Sequence, residues 1–332
     1  MTQNIIENLT AIWQRVLRQP SVCLDDNFFD LGGDSALALE MFNEIARVCG
    51  REMPPVTIYQ APTIIDLAAL LEQPTTPRFP PLVLLKPGPD QPPVFMAHGL
   101  GGTAMDFFQI VKHAHSERSI YGMQAKGIDG VDAPFDRIED MAQFHLDAIR
   151  EVQPHGPYLL IGYSLGGLVA LEMAQRLLAK GEPIGLLAML DAYPNLRYLS
   201  LGQKVSLVAQ QAIRRVSGFV RTPGNGGRDL YQPPTGALAT PAMQRTREFA
   251  HTALTRYRPR YYRGKIHFVR AEVVTGFPAD AAAVWSPLAN EVEVETVPGD
   301  HLGIIATHFE NLADVLSGWL RTVLQSGSDG NQ

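Results

Sequence analysis

Tyr158-Leu-Leu-Ile-Gly162-Tyr-Ser164-Leu-Gly166-Gly167-Leu-Val-Ala-Leu-Glu-Met-Ala is the stretch that decides the fold of this 332-residue chain. An apolar run of strand length leads into G-x-S-x-G, and a helical pattern follows. This strand–turn–helix context exposes a serine as a nucleophile. The glycines leave room in a strained turn where the serine backbone needs a positive φ. The motif alone is common by chance, but in this context it predicts that Ser164 is a nucleophile.

The chain around this motif alternates short apolar runs with helical periods, which is typical of a mainly parallel sheet with helices on both faces. The predicted strands span residues 93–97, 119–124, 158–162, 185–190, 266–271 and 292–297, and the predicted helices span 138–152, 165–179 and 308–323.

Residues 193–256 break this alternation. Two helical patterns, at 204–216 and 243–257, surround a glycine-rich loop at 223–227. A helical insertion of this kind predicts a lid over the sheet domain. The last seven residues, 326–332, are polar and predict a disordered tail.

A serine nucleophile needs a base and an acid, which follow it in the order Ser, acid, His. His301 lies in a loop between a predicted strand and the last predicted helix, so it is the expected base. Asp191 and Glu272 each follow a predicted strand, and spacing alone leaves both open as the acid. Asp300 is a poor candidate because adjacent residues seldom face each other across a hydrogen bond.

The oxyanion of a serine hydrolase needs two backbone N–H donors. Leu165, directly after the nucleophile, is expected to supply one of them. The loop His98-Gly-Leu-Gly-Gly102 follows the first predicted strand and is expected to supply the other. We expect His98 itself to be structural.

The first 74 residues predict a separate helical domain. Apolar residues at helical spacing precede Pro20, a second helix begins near Ser35 in Leu31-Gly-Gly-Asp-Ser35, and Thr63 with Asp66 predicts the cap of a last helix. Residues 75–81 are proline-rich and predict a linker, so the sheet domain would span 82–325.

Charge is distributed unevenly along the chain, whose net charge is −6. Residues 1–74 hold ten acidic and four basic residues, whereas residues 193–265 hold thirteen basic and two acidic ones. We expect no nucleic-acid partner, because the basic segment has an acidic counterpart in the same chain. The asymmetry suggests that the first domain docks on the basic segment, with Arg256, Arg258 and Arg260 as candidates.

The remaining composition predicts a cytoplasmic enzyme without a metal. The N-terminus lacks a basic start followed by an apolar run, and no apolar stretch reaches the roughly 18 residues that span a bilayer. No membrane partner is therefore expected. Cys23 and Cys49 lack the spacing of a metal site, so buried or free thiols are expected rather than a disulfide.

Two families are similar to this sequence. Asp30-Leu-Gly-Gly-Asp-Ser35 resembles the phosphopantetheine site of peptidyl and acyl carrier proteins, although Asp34 stands where a histidine is usual. Residues 162–167, Asp191 and Gly299-Asp-His301 resemble the type I thioesterase domain that ends nonribosomal peptide synthetases and some polyketide synthases. The resemblance implies a small four-helix carrier domain, then an α/β-hydrolase domain with a helical lid. It also favours Asp191 over Glu272.

This resemblance implies a thioesterase that acts on its own carrier. A phosphopantetheinyl transferase would attach 4′-phosphopantetheine covalently to Ser35, and an upstream synthetase module would charge the thiol. Ser164, with His301 and Asp191, would accept the acyl or peptidyl group, and the amides of Leu100 and Leu165 would hold the oxyanion. Hydrolysis and macrocyclisation both stay open as the release step.

Three alternatives remain at this stage. An esterase on free substrates would leave the carrier domain unexplained. An acyltransferase would pass the acyl group to a separate acceptor. A non-catalytic interaction module would not need the Ser, Asp and His set.

Overall fold

The computed structural model describes residues 2–73, 78–89, 92–195, 197, 199, 201–204, 240–274 and 276–328. Within residues 2–73 the chain forms three α-helices and a 3-10 helix. Their bounds are α1 Thr2–Val16, α2 Ser35–Cys49, the 3-10 helix Pro55–Tyr59 and α3 Ile64–Glu72. The helices share one apolar core, in which Leu9, Trp13, Phe28, Met41 and Ile64 are fully buried.

Side-chain caps fix where two of these helices begin. Asp34 accepts a hydrogen bond from the Leu37 N–H (2.8 Å), so α2 starts at Ser35. Thr63 accepts from the Asp66 N–H (3.1 Å) at the start of α3, as the sequence predicts. A cap of this kind satisfies an amide that has no partner within the helix.

A seven-stranded sheet forms the centre of the described part of the second domain. Its order is β1-β3-β2-β4-β5-β6-β7, with β1 antiparallel to β3 and the other pairs parallel. The strands are β1 Leu82–Lys86, β2 Val94–Ala97, β3 Ile120–Met123, β4 Tyr158–Tyr163, β5 Ile184–Leu190, β6 Tyr262–Ala271 and β7 Ala289–Val297. The central strand β4 is buried along its whole length.

Helices cover both faces of this sheet. The described helices are α4 Phe108–His113, α5 Ile138–Val152, α6 Leu165–Ala179, α7 Pro241–Arg256, α8 Ala281–Trp285, α9 Gly303–Ala306 and α10 Phe309–Ser328. Residues of α5 to α8 join the apolar core on one face. Residues of α4, α9 and α10 join the core on the other. The carboxyl ends of the neighbouring parallel strands β4 and β5 therefore lie at one edge of the sheet, between the two layers of helices.

The predicted lid is only partly described. The helix predicted at 243–257 is α7, whereas most of the helix predicted at 204–216 and the glycine-rich loop at 223–227 lie outside the described residues. Helix α10 continues to Ser328, three residues into the predicted tail, and residues 329–332 are also outside. Among the described helices, none has both the length and the hydropathy needed to cross a bilayer.

Candidate active site

Ser164 occupies the strained turn between β4 and α6. Its backbone has φ 54° and ψ −118°, which non-glycine residues rarely adopt. A Cβ on Gly162 would lie 2.1 Å from the Gly166 carbonyl oxygen, and one on Gly166 would lie 2.1 Å from the Ala97 oxygen. The glycines are therefore required because backbone packs directly on backbone at this turn.

His301 lies in the loop between β7 and α9 and faces the serine. Its Nε2 is 3.0 Å from Ser164 Oγ. The ring of Tyr163, the residue before the nucleophile, stacks on the imidazole with centroids 5.0 Å apart. The Tyr163 hydroxyl also donates to the His301 carbonyl at 2.8 Å. The imidazole is thus held both by its ring face and by its backbone.

Asp191, at the end of β5, orients this imidazole from the other side. Its Oδ2 is 2.7 Å from His301 Nδ1, and its Oδ1 accepts from the Ala271 N–H at 3.1 Å. Asp191 is buried, at 5% exposure, whereas Glu272 is exposed. The structure therefore brings Asp191 to His301, and not Glu272, because β5 rather than β6 neighbours the elbow strand β4.

An apolar pocket opens above the serine. The ring of Tyr193 stacks on Phe277 with centroids 4.4 Å apart and planes 9° apart, and this pair forms one wall. Leu254 of α7 contributes from the predicted lid segment. The full lining is Leu100, Ser164, Leu165, Asp191, Tyr193, Leu254, Val274, Phe277 and His301. Such a lining suits an acyl chain next to the reacting carbonyl.

The two predicted oxyanion donors lie at this pocket. Leu165 is the first residue of α6, so its amide lies in the first turn of the helix, where N–H groups have no partner within the helix. Leu100 lies in the loop after β2, and its side chain lines the same pocket. Gly102 keeps this loop turned with φ 76°, and its carbonyl accepts from the Ala125 N–H at 2.9 Å.

His98 holds the loop that carries Leu100. The imidazole is 2% exposed, and its Nδ1 lies 2.7 Å from the Gly99 carbonyl oxygen. A carbonyl only accepts, so Nδ1 carries the proton. Burial lowers the pKa of His98, an effect that this hydrogen bond opposes. Burial, with the nearby His98, also lowers the pKa of His145, whose ring is 5.6 Å away.

A partly buried carboxyl group, that of Asp106, lies beside the same loop. Asp106 Oδ2 is enclosed and has no hydrogen-bond partner among the residues that the structure describes, and it lies 3.7 Å from the point that a Cβ on Gly99 would occupy. Burial raises the pKa of Asp106 to about 7. No sequence motif singles out Tyr163, His145 or Asp106. The only sequence signal for them is their closeness to the elbow and to the loop after β2.

Ser35, the predicted attachment residue, is the first residue of α2. The turn before it is tight, because a Cβ on Gly33 would lie 2.3 Å from the Phe28 ring. Gly32 has φ 90°, which suits glycine. The helix start with its capping Asp34 is a place where backbone N–H groups favour a phosphate ester. The local structure therefore fits a serine-linked phosphopantetheine.

The cysteines form no disulfide. Cys23 is exposed and Cys49 is partly exposed, as free thiols. Ligand atoms of Cys23, Asp25 and Asp26 lie within 4.8 Å of one another. Asp26 accepts from the Cys23 N–H at 2.7 Å, so a turn accounts for this exposed group.

The elbow serine, the histidine after the last strand and the acid after β5 define an α/β-hydrolase. Two family models identify the chain further. Residues 7–71 match the phosphopantetheine attachment site family, and residues 92–225 match the thioesterase domain family. The chain therefore contains a carrier domain of the first family followed by a domain of the thioesterase family.

Two known synthases illustrate the proteins to which this sequence is similar. A dimodular nonribosomal peptide synthase of Bacillus subtilis (strain 168) is 40% identical over 190 residues, which cover 57% of this chain and 8% of the synthase. Indigoidine synthase of Dickeya dadantii (strain 3937) is 38% identical over 239 residues, which cover 72% of this chain and 15% of the synthase. The chain thus spans a small part of the curated relatives it matches.

The fold is also shared with a solved structure. The holo form of AB3403, a four-domain nonribosomal peptide synthetase bound to AMP and glycine, matches 95% of this chain and 26% of its own. The TM-score is 0.61 at 21% sequence identity. At this identity the likeness concerns the fold.

Proposed function

We propose that this chain releases an acyl or peptidyl group that its own carrier domain holds as a thioester. One observation carries the proposal: the Ser164, His301 and Asp191 side chains lie in hydrogen-bonded series, at 3.0 and 2.7 Å, beside an apolar pocket. The phosphopantetheine attachment domain in the same chain supports a carrier-bound substrate. A stand-alone esterase would have no use for that domain.

In the proposed mechanism His301 Nε2 takes the proton of Ser164 Oγ as the oxygen attacks the thioester carbonyl. The N–H groups of Leu100 and Leu165 stabilise the oxyanion. Asp191 keeps the proton of His301 on Nδ1 and stabilises the imidazolium. His301 then returns the proton to the leaving thiol, and an ester on Ser164 remains.

The second half of the reaction releases this ester. His301 activates water, or an amine or hydroxyl of the acyl chain itself, and the new nucleophile attacks the ester carbonyl. The same two amides stabilise the second oxyanion, which collapses and expels Ser164 Oγ while His301 returns the proton to this oxygen. The apolar walls of Tyr193, Leu254 and Phe277 exclude water from part of the pocket, which favours the internal nucleophile where the chain supplies one.

The carrier supplies the substrate in this proposal. When bound to Ser35, 4′-phosphopantetheine provides a thiol that carries the acyl group. We propose residues 1–74 as the carrier domain, 75–81 as the linker and 82–325 as the thioesterase domain with its lid. A phosphopantetheinyl transferase and an upstream synthetase module are the proposed partners. The cytoplasmic location stays a prediction.

Two mass measurements test this function. Incubation with a phosphopantetheinyl transferase and coenzyme A should add one phosphopantetheine to the chain and none to Ser35→Ala. A chain loaded from an acyl-coenzyme A should then lose its acyl group, whereas the Ser164→Ala variant should keep it. Labelling that survives Ser35→Ala, or release that survives Ser164→Ala, would contradict the proposal.

A further inference from the structure

An aromatic cluster joins the carrier domain to the thioesterase domain. Phe29 of the carrier stacks on Phe108 at the start of α4, with ring centroids 5.2 Å apart and planes 27° apart. The ring centroid of Tyr59, also in the carrier, lies 4.9 Å from that of Phe29 and 6.4 Å from that of Phe108. We call Phe29, Tyr59 and Phe108 the aromatic seat.

The apolar contact extends beyond these rings. Val83, Ala104 and Met105 of the thioesterase domain are buried in the same apolar cluster as the core of the carrier. Burial raises the pKa of the Tyr59 hydroxyl, whose oxygen has no hydrogen-bond partner in the described structure. Tyr59 thus takes part in this contact through its ring.

On the carrier the seat lies next to the attachment serine. The chain turns back on itself directly after Phe29: the Gly32 N–H donates to the Phe29 carbonyl at 3.1 Å, and the Gly33 N–H donates to the Phe28 carbonyl at 2.9 Å. Ser35 follows Gly33 by two residues, which span at most about 7 Å. The seat therefore positions the attachment loop itself and not a remote face of the carrier.

On the thioesterase domain the seat adjoins the loop that carries Leu100. The 3-10 helix Ala104–Phe107 follows this loop directly, and Phe108 is its C-cap. Its first two residues contact the carrier cluster, and Leu100 lines the pocket of Ser164. Each half of the seat thus adjoins the reactive element of its own domain.

The ion pairs of Arg256 and Arg260 do not account for this contact. Arg256 pairs with Asp136, and Arg260 pairs with Glu172, so two of the three arginines predicted to meet the carrier bind acids of their own domain. The docking of the carrier on the basic segment stays a prediction, because residues 205–239 of that segment lie outside the described residues. Counting charged residues along the sequence gives the net charge of a segment, but it does not show which acids lie close to which arginines.

We propose that the aromatic seat holds the carrier in the position from which the acyl group on Ser35 is delivered to Ser164. This inference rests on the proposed function. Stacked aromatic pairs hold surfaces together in a defined orientation, and the linker keeps the effective concentration of the carrier on the order of mM. Loss of one ring should consequently slow delivery rather than abolish it.

The first test compares arm-borne and free substrates in the full chain. Phe29→Ala and Phe108→Ala should each slow release of an acyl group loaded on Ser35 by about two- to tenfold, the effect of one aromatic pair. Hydrolysis of a soluble acyl N-acetylcysteamine thioester should stay unchanged. The double variant should be no slower than the slower single variant, because both substitutions remove the same contact.

Matched controls come from exposed apolar side chains outside the seat. Ile65→Ala on the carrier and Tyr261→Ala on the thioesterase domain remove side chains that are 50% and 53% exposed. Neither should change release from the arm. Release by the native chain should also vary little between about 0.05 and 0.5 M salt, since screening acts on charges and not on an apolar contact.

The second test needs no acyl group. In the unloaded chain, Phe29→Ala should increase amide hydrogen exchange of residues 104–108 across the domain boundary, and Ile65→Ala should not. Unchanged exchange would overturn the proposal, as would unaltered release in both ring variants, parallel loss on the soluble thioester, or strongly salt-dependent release. If the native chain hydrolyses neither substrate, the proposed function fails, and the exchange result still decides whether the seat exists.

Discussion

Tyr163 contacts His301 twice, through its ring and through its hydroxyl. The rings lie 5.0 Å apart with planes 24° apart, and the hydroxyl donates to the His301 carbonyl at 2.8 Å. Gly99 packs on the same ring, because a Cβ there would lie 2.9 Å from Tyr163 Cδ1. The residue before the nucleophile therefore links the elbow, the base and the loop that carries Leu100.

Substitution of Tyr163 should separate these two contacts. Tyr163→Phe keeps the ring stack and loses the hydrogen bond, so kcat for a soluble thioester should fall about tenfold at most, given a net value of about 0.5–1.5 kcal/mol for such a bond. Tyr163→Leu removes both contacts and should lower kcat further. Steady-state kinetics of both variants decide this, and equal losses would show that the stack contributes nothing.

Two acid-to-amide substitutions test whether Asp191 or Glu272 is the catalytic acid. Asp191→Asn should lower kcat by several orders of magnitude, because the amide no longer fixes the tautomer of His301. Glu272→Gln is the matched control and should leave kcat close to that of the native chain, since Glu272 is exposed. The reverse result would assign the acid to β6. Ser164→Ala, His301→Ala and the double variant should lose similar activity, because these residues act as a unit.

Most of the sheet could be predicted from the sequence, except at its edges. Helices α5 and α6 span the predicted residues 138–152 and 165–179. Strand β1 was not predicted, because it is a partly exposed antiparallel edge strand set between prolines, without the buried apolar run of a central strand. Strand β6 begins four residues before its predicted start, since pairing with β7 extends it beyond its apolar part.

The site residues that could be predicted from the sequence are those whose role follows from their order along the chain. Ser164 and His301 follow from the order of strands and loops, whereas Asp191 and Glu272 could not be separated by spacing. Which of the two is the acid depends on which strand lies next to β4, and this strand order is a property of the sheet topology. The contacts of Tyr163 with His301 and the packing of Phe29 on Phe108 join residues at least 79 positions apart, so no local pattern indicates them.

Asp106 should make stability depend on pH. Burial raises its pKa to about 7 from an unfolded value near 4, so the native state holds this proton more tightly than the unfolded state does. Its contribution to stability is therefore fully present below about pH 4, declines as pH rises to about 7, and is absent above that. Asp106→Asn lacks this dependence and should be more stable than the native chain at pH 8, by at most about 4 kcal/mol.

Urea unfolding at pH 5 and pH 8 measures this difference. The gap between Asp106→Asn and the native chain should widen with pH. Asp314→Asn, at an exposed position on α10, should show no such change. An Asp106→Asn gap that stays constant between the two pH values would mean that the Asp106 carboxyl is not held neutral.

His98 should affect catalysis by orienting the peptide bond between Gly99 and Leu100. Its Nδ1–H donates to the Gly99 carbonyl, and the N–H of that same peptide belongs to Leu100. In a trans peptide the C=O and N–H point in opposite directions, so a bond that fixes the carbonyl also aims the Leu100 N–H. An oxyanion donor acts mainly in the transition state, so misalignment should lower kcat more than it changes KM.

Two substitutions distinguish this positioning role from simple packing. His98→Leu fills the same space with an apolar side chain and loses the donor. We therefore expect kcat for a soluble thioester to fall at least tenfold, and by no more than the 10²–10³-fold cost of losing an oxyanion donor completely. His98→Asn places an amide N–H near the position of Nδ1 and should recover most of that loss. Burial lowers the pKa of His98, so the comparison is made at pH 8, where the imidazole is neutral. If both variants lose kcat equally, or if KM rises while kcat stays constant, His98 serves packing and does not orient the Leu100 amide.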